Sequence, residues 1–153
     1  MKITLNETEQ SLARMVAVHR HSDARAKNVP NMRLGPQSNA QTDLDGAGAE
    51  IAYCKLHNCY PDLGRGEMPY ADAFTVEHGA VDVKCTKYRQ GMLLARRSKQ
   101  AGERPDSYVL MIGEFPTYRY VGWLSADALL RDENLRDLGY GETFAMPQDG
   151  LNP

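Results

Sequence analysis

Long hydrophobic runs and a strong net charge are both missing from this sequence. No apolar segment approaches the roughly 20 residues needed to span a bilayer, and the opening MKITLNETEQ has no apolar stretch typical of a secretory leader. We therefore expect a cytoplasmic protein with no membrane partner. The formal net charge is −2, so any contact with nucleic acid depends on local basic clusters and not on a positive total.

Cysteine is also scarce, with only Cys54, Cys59 and Cys85 in the chain. An odd number in no regular pattern argues against a disulfide framework and agrees with a reducing compartment. The segment CKLHNC groups Cys54, His57 and Cys59, but a structural zinc site wants a fourth ligand and usually a second Cys or His pair. The sequence offers no such pair, so we do not expect zinc.

The N-terminal third predicts a short edge strand, a helix, a loop and a second helix. Asn6 and Glu9 have capping-box spacing, and residues that favour one helix face follow at Leu12, Met15, Val16 and His19. Residues 29–45 are polar, contain Gly and Pro and show no period, which predicts a long loop. The segment 46–58, GAGAEIAYCKLHN, predicts a helix whose small first residues allow a close backbone approach.

Strand patterns dominate the remainder of the chain. We expect strands at 73–77, 80–86, 92–96, 107–112 and 118–124, and a last short strand in the tail. SADALLRDENL predicts a helix capped by Ser125. The order of elements favours one α/β (α+β) domain of residues 1–153 with a central mixed β-sheet flanked by helices. In this interpretation the N-terminal helix and long loop, residues 1–45, precede a core of residues 46–149.

The segment AVDVKCTKYR interrupts an apolar strand with an acid and a lysine. Residues two apart in a strand share a face, so Val81 and Val83 face a core while Asp82 and Lys84 point together to the other side.

The turn before this strand decides where Asp72 lies. A three-residue loop, Glu77-His78-Gly79 with Gly79 in the left-handed conformation, pairs Phe74 with Asp82 and Asp72 with Lys84. Asp72 then shares the face of Asp82 and Lys84. A four-residue loop shifts the register by one and turns Asp72 away.

Two carboxylates and an ammonium on one strand face suit a divalent metal. Mg²⁺ takes oxygen ligands and often sits on one or two carboxylates plus substrate phosphate, and the carbonyl oxygen of Val83 is a further candidate ligand. Lys84 is placed to orient or deprotonate the attacking water, or to neutralise developing charge. The open alternative is an exposed face with an Asp72–Lys84 cross-strand pair worth about 0.2–1 kcal/mol.

A longer series of motifs resembles the PD-(D/E)XK nuclease superfamily, which has the restriction-endonuclease-like fold. Glu50 lies in GAGAEIAYCK, Asp72 in YADAF, and Asp82 and Lys84 in VDVKCTKY, followed by MLLAR, DSYVLMIG and PTYRYVGWLSADALL. The resemblance covers residues 46–149 and is greatest to small members encoded by phages and prophages.

The resemblance implies a role for each of these residues. Asp72 matches the first acid, Asp82 the second acid, Lys84 the final lysine, and Glu50 the helix acid that serves as an extra metal ligand or a brace. It implies a metal-dependent endo- or exonuclease in the host bacterial cytoplasm that cuts DNA, or RNA, with Mg²⁺, for which Mn²⁺ substitutes.

The sequence departs from the superfamily pattern at two positions. Asp72 follows Ala71 where the pattern has proline, and Cys85 stands where a small hydroxyl residue is expected. The true Pro-Asp pairs are Pro61-Asp62 and Pro105-Asp106. Asp62 therefore remains a rival first acid, whereas we expect Asp106 to start a strand.

Basic residues follow the lysine of the motif. Seven lie between Lys84 and Arg104 against the single acid Glu103, and Lys87, Arg89, Arg96 and Arg97 are candidate contacts for nucleic acid, with a solvated surface as the alternative. A catalytically inactive protein of the same fold that binds DNA or a host protein is the alternative function. A structural interaction domain with exposed hairpin acids is a third, and a homodimer is left open.

Overall fold

The computed structural model describes residues 1–28, 38–63 and 70–153. Within that part the helices are α1, Glu7–Ala26; α2, Asn39–His57; and α3, Ala126–Leu129. The strands are β1, Lys2–Thr4; β2, Ala73–Thr75; β3, Gly79–Thr86; β4, Leu93–Arg96; β5, Ser107–Glu114; β6, Thr117–Ser125; β7, Leu135–Asp137; and β8, Glu142–Met146.

The strands form two sheets. The larger has the order β1-β6-β5-β3-β2, and the smaller has the order β4-β8-β7. The larger sheet is mixed, because β3 and β5 run parallel while its other neighbouring strands run antiparallel. The predicted fold class, a mixed sheet with helices, is confirmed.

Two cores lie on opposite faces of the larger sheet. One face of β3 and β5 packs with α1 and α2 through residues that include Val81, Val83, Val109 and Met111. The other face of β5 packs with the smaller sheet and α3 through Tyr108, Leu110, Leu93, Phe144 and Leu129. Because Asp82 and Lys84 alternate with the two valines, their side chains leave β3 on the side away from α2.

The start of α1 has the predicted capping box. The amide of Glu9 donates to Asn6 Oδ1 at 2.9 Å, and the amide of Asn6 donates to Glu9 Oε2 at 2.7 Å. The predicted apolar face was wrong at Met15 and His19, which are exposed. The buried face carries Ala13, Val16 and Ala17 instead. Small alanine side chains let two helices approach closely. A search for the period of large apolar residues does not detect such a face.

Helix α2 begins seven residues before the predicted start, so the loop prediction was wrong for residues 39–45; residues 29–37 lie outside the described part. The hydroxyl of Ser38 caps the helix by accepting from the amide of Gln41 at 3.1 Å. Asp45 is buried in this first half and accepts from Gln41 Nε2 at 2.8 Å and from the amide of Phe115 at 2.9 Å. Tertiary hydrogen bonds therefore satisfy polar residues that looked typical of a loop.

The small residues in α2 have the predicted use. A Cβ atom added at Gly48 would clash with the ring and hydroxyl of Tyr118 on β6. Gly48 thus allows α2 to lie directly against the sheet. This close packing sets the distance between Glu50, two residues later on α2, and the sheet.

The hairpin register differs from the prediction by two residues. The pairs are Ala73 with Val81, Phe74 with Ala80 and Thr75 with Gly79, so the predicted pairing of Phe74 with Asp82 was wrong. Gly79 has the predicted left-handed conformation, with φ of 68°. A shift of two leaves every side chain on its predicted face.

The turn itself, residues 76–78, lies one residue earlier than predicted because His78 belongs to the core. Its amide donates to Thr75 Oγ1 at 3.0 Å, and its Nδ1 lies 2.8 Å from the Tyr53 hydroxyl. This anchoring moves Gly79 out of the loop and into β3.

The helix predicted after Ser125 is confirmed only for its first turn. The hydroxyl of Ser125 accepts from the amide of Ala128 at 3.2 Å, as predicted. The side-chain amide of Asn134 then donates to the carbonyls of Ala128 and Leu129 at 2.9 and 3.0 Å. These bonds end α3 and lead the chain into β7, which the sequence analysis missed.

We expect a pH dependence of stability from two histidines, the buried His78 and the partly buried His57. Burial lowers the pKa of His57 and of His78, and His78 lowers that of His57 further, although Glu77 opposes both shifts. The unfolded chain binds these protons near the ordinary pKa of about 6.5, and the folded chain binds them only at lower pH. The unfolded state therefore holds more protons in this window, and the free energy of unfolding falls as the pH drops below about 6.5.

Urea unfolding between about pH 7.5 and 5.5 measures this dependence. Replacing both His57 and His78 by Gln should flatten the slope relative to the unchanged protein, whereas His19→Gln, at an exposed position on α1, should leave it unaltered. An unchanged slope in the double variant would show that other groups carry the dependence.

Candidate active site

The predicted site residues come from three places in the fold. Asp82 and Lys84 lie on β3, Asp72 lies immediately before β2, and Glu50 lies on α2. Arg20 reaches the same region from α1. The site therefore lies at the edge of β3 that continues past β2. Glu50 and Arg20 approach this edge from the helices, whereas Asp82 and Lys84 leave β3 on its other side.

The carboxylate of Asp72 is fixed by the main chain of β3. Its Oδ2 accepts from the amide of Val83 at 2.8 Å, and its own amide donates to the carbonyl of Val81 at 2.7 Å. The side chain thus continues the hydrogen bonding of the hairpin where β2 has not yet begun. The amide and carbonyl of one strand residue point to the same edge, so the carbonyl of Val83 faces this space too. Its role as a metal ligand stays a prediction.

The three acids lie close enough to interact electrostatically. Burial raises the pKa of Asp72 well above its ordinary value, and the charges of Glu50 and Asp82 raise it further. The amide of Val83 and the ammonium of Lys84 act in the opposite direction. Asp72 is therefore a partly buried acid close to two others. The hairpin predicted the proximity of Asp82, whereas that of Glu50 was implied only by the resemblance.

Asp82 and Lys84 form an ion pair along their own strand. Lys84 Nζ lies 2.7 Å from Asp82 Oδ1. The side chain of Lys84 is 39% exposed and that of Asp82 is 13% exposed. The ammonium is thus both tethered and open to solvent. Tyr108 on β5 is the cross-strand partner of Asp82 on β3. Its buried hydroxyl has no hydrogen-bond partner in the described part of the chain. This orphaned hydroxyl marks unused hydrogen-bonding capacity beside Asp82.

Glu50 is held by an arginine that the sequence analysis did not single out. Arg20 Nη1 donates to both carboxylate oxygens of Glu50, at 2.7 and 2.5 Å, and its Nη2 donates to the carbonyl of Asp62 at 3.0 Å. The available signal was spacing: Arg20 follows Val16 by four positions and Ala17 by three, on the face of α1 that packs inward.

In this pair, the charge of each residue opposes the effect of burial on the pKa of the other. Burial raises the pKa of Glu50, and Arg20 only partly offsets that effect. Burial alone would lower the pKa of Arg20, but the charge and hydrogen bonds of Glu50 outweigh it and raise the pKa. Glu50 consequently depends on Arg20 for its ionised form.

The two rival acids of the Pro-Asp pairs have different positions. The amide of Asp62 donates to the carbonyl of Asp72 at 3.2 Å, which places Asp62 beside the site. The carboxylate of Asp106 accepts from the amide of Ala80 at 2.8 Å, directly before β5, as expected for a strand-start residue. The carboxylate of Asp72 bonds the main chain of β3 and lies close to Glu50, Asp82 and Lys84, and its role as the first acid stays a prediction.

The candidate nucleic-acid contacts are spread over two parts of the surface. Lys87 follows β3 and lies 5.7 Å from the ring centroid of Tyr88, and exposed Arg89 comes two residues later. Arg96 and Arg97 lie at the end of β4 in the smaller sheet, where Arg97 forms an ion pair with Glu142. Their role in binding nucleic acid stays a prediction.

The predicted site for one metal ion between three carboxylates does not appear in this arrangement. Across residues 1–28, 38–63 and 70–153, no group of three or more His, Cys, Asp or Glu side chains is placed to hold an ion. Here Arg20 engages Glu50, and Lys84 engages Asp82.

The donor chemistry nevertheless fits magnesium. Its sites need only one or two protein carboxylates, with water and substrate phosphate filling the rest. Asp72, Asp82 and the carbonyl of Val83 supply such a set of oxygens, and the mutual repulsion that raises the pKa of Asp72 is what a divalent cation relieves. Metal binding stays a prediction.

No protein-family model matches this sequence, and no curated protein matches it either. None of the helices in the described residues is long and apolar enough to cross a bilayer.

Proposed function

We propose that this protein is a metal-dependent nuclease that hydrolyses phosphodiester bonds of DNA, with RNA as the alternative substrate. The observation that carries the proposal is the convergence of Asp72, Asp82 and Lys84, with Asp72 bonded to the main chain of the strand that bears the other two. The resemblance of the motif order to PD-(D/E)XK nucleases supports the same reaction.

Each residue has a distinct task in this proposal. Asp72, Asp82 and the carbonyl of Val83 hold Mg²⁺, or Mn²⁺ in its place. When bound, the metal supplies a water of lowered pKa and neutralises charge on the phosphoryl group. Lys84 is tethered by Asp82 and open to solvent, so its ammonium orients the attacking water or stabilises the developing negative charge. Arg20 holds Glu50 beside the acids as a brace through hydrogen bonds to both carboxylate oxygens.

Metal binding provides the first test, independent of any substrate. A ligand that binds only the folded state at 100 times its dissociation constant stabilises by about 2.7 kcal/mol, which corresponds to roughly 5–10 °C in Tm for a chain of this size. Mn²⁺ should raise Tm of the unchanged protein and not of Asp72→Asn or Asp82→Asn. Asp127→Asn, which alters an exposed carboxylate on α3, is the matched control. An equal rise in all four proteins would place the metal elsewhere.

Cleavage is the second test. Supercoiled plasmid, linear duplex, single-stranded DNA and RNA are incubated with Mg²⁺ or Mn²⁺ and with EDTA. We expect strand scission that requires the metal. The absence of scission on every substrate at high enzyme concentration would refute the proposed reaction.

A protein that binds without catalysis is the second candidate. The ion pairs Arg20–Glu50 and Lys84–Asp82 already neutralise two of the three acids, which suits a static binding surface as well as a resting enzyme. This candidate predicts no cleavage, and equal affinity for the partner in the unchanged protein and in Asp82→Asn.

A further inference from the structure

An exposed aromatic ring lies beside the acids on the same face of the hairpin. Phe74 alternates with the buried Ala73 and Thr75 of β2, and Asp82 alternates with the buried Val81 and Val83 of β3. Since Ala73 pairs with Val81, the side chains of Phe74 and Asp82 emerge on the opposite, common face.

Phe74 is close to Asp82 and uncovered. Its cross-strand partner is Ala80, so Asp82 is its diagonal neighbour, a relationship with a separation of about 7–8 Å between Cα atoms. The small side chain of Ala80 leaves the ring open, and Phe74 is 59% exposed. A single exposed apolar residue is ordinary in itself, but this one borders a group that combines three mutually interacting acids with a lysine and an arginine.

We propose that Phe74 is a stacking platform for an unpaired nucleobase next to the scissile phosphate, so that the preferred substrate is single-stranded or frayed nucleic acid. This inference rests on the proposed nuclease function and deepens it to a substrate class. A base can lie on the ring only when it is not stacked within a duplex. Lys84, which emerges on the same face of β3 as Asp82 and is 39% exposed, supplies positive charge for the adjoining phosphates.

The size of the effect follows from base–aromatic stacking, which contributes about 1–3 kcal/mol per base. One such contact changes affinity by roughly 5- to 150-fold, since 1.4 kcal/mol corresponds to a factor of ten. Stacking on an aromatic face does not depend on which base is present, so we expect little sequence preference at this position.

The experiment measures binding in the Asp82→Asn background with EDTA present, so that cleavage does not interfere. The probes are a labelled single-stranded oligonucleotide, the matched duplex, and a series of the same strand in which each member has one abasic site at a different position. Phe74→Leu and Phe74→Ala should weaken binding of the intact strand at least fivefold, and Phe74→Trp should restore it. At one position along the strand, the abasic site should weaken binding to the protein that has Phe74. The same abasic site should have no effect on binding to Phe74→Leu.

The control is Tyr140→Leu, which removes an exposed ring (69% exposed) from the loop between β7 and β8 and should not change affinity. Equal affinity of Phe74→Leu and its parent for the intact strand, or preference for the duplex, would overturn the inference. If Phe74→Leu instead reduces self-association in sedimentation without affecting the oligonucleotide, the ring serves contact between two copies and the inference fails. If binding depends on Phe74 but the unsubstituted protein does not cleave the strand, the nuclease function is refuted while the stacking site is supported.

Discussion

Asp82→Asn should reduce metal-dependent cleavage by at least about 10³-fold, and Lys84→Ala by about 10²–10³-fold. Removing one preorganised group that stabilises developing charge costs about 10²–10³ in rate, and Asp82 has the second task of holding the metal. Asn has nearly the same shape as Asp but lacks the charge that both the metal and Lys84 require. Single-turnover cleavage of a labelled oligonucleotide with Mg²⁺ measures both effects.

The two variants also separate the roles of the two residues. Lys84→Ala removes a half-exposed ammonium and leaves the carboxylates in place, so the stabilisation by Mn²⁺ should survive while cleavage is lost. Asp82→Asn should lose both. Asp127→Asn should retain full activity. Cleavage that persists in both hairpin variants would exclude this site as the catalytic centre, whatever the activity of the protein as a whole.

Arg20→Ala should lower the free energy of unfolding by about 2–3 kcal/mol. Removing one partner of a buried ion pair costs about 3–5 kcal/mol, because the other charge stays buried without compensation. Arg20 is 33% exposed and Glu50 11%, so solvent screening reduces this cost somewhat. The variant also loses the hydrogen bond to the carbonyl of Asp62. Urea unfolding at neutral pH measures the loss.

A double-mutant cycle with Glu50→Gln isolates the pair. Glu50→Gln removes the buried charge itself, so Arg20→Ala should cost far less in that background, with a coupling energy of more than about 1 kcal/mol. Arg20→Lys should restore only part of the stability, since an ammonium does not reproduce the two-pronged contact of the guanidinium. The matched surface pair is Arg97–Glu142, with both side chains at least half exposed, and Arg97→Ala should cost less than about 1 kcal/mol. Equal losses at the two positions would show that Glu50 is not buried as described.

The hairpin illustrates what the sequence could predict and what it could not. Alternation of side chains fixed the face of Asp82, and glycine chemistry fixed the conformation of Gly79, since both depend on neighbours along the chain. The register was wrong because the buried ring of His78 sets the turn through Tyr53 on α2, and such a distant contact leaves no local pattern. A slip of two residues preserves the faces, whereas a slip of one would have turned Asp72 away.

The helices show the same limit. The capping box of α1 is a local device and was predicted correctly. The first half of α2 was missed because its polar residues find partners far along the chain, as Asp45 does at Phe115. The role of Arg20 could not be predicted from its neighbours, since it depends on Glu50, thirty positions later.

The origin of Arg20 in α1 bears on how far the protein can be shortened. A chain beginning at residue 46 would retain every acid and the lysine of the motif, yet it would leave the carboxylate of Glu50 without its guanidinium and expose the flank of β6 that β1 now covers. The motif residues would be intact in such a fragment while their electrostatic setting would not. The amino-terminal helix is thus an integral part of the acidic site.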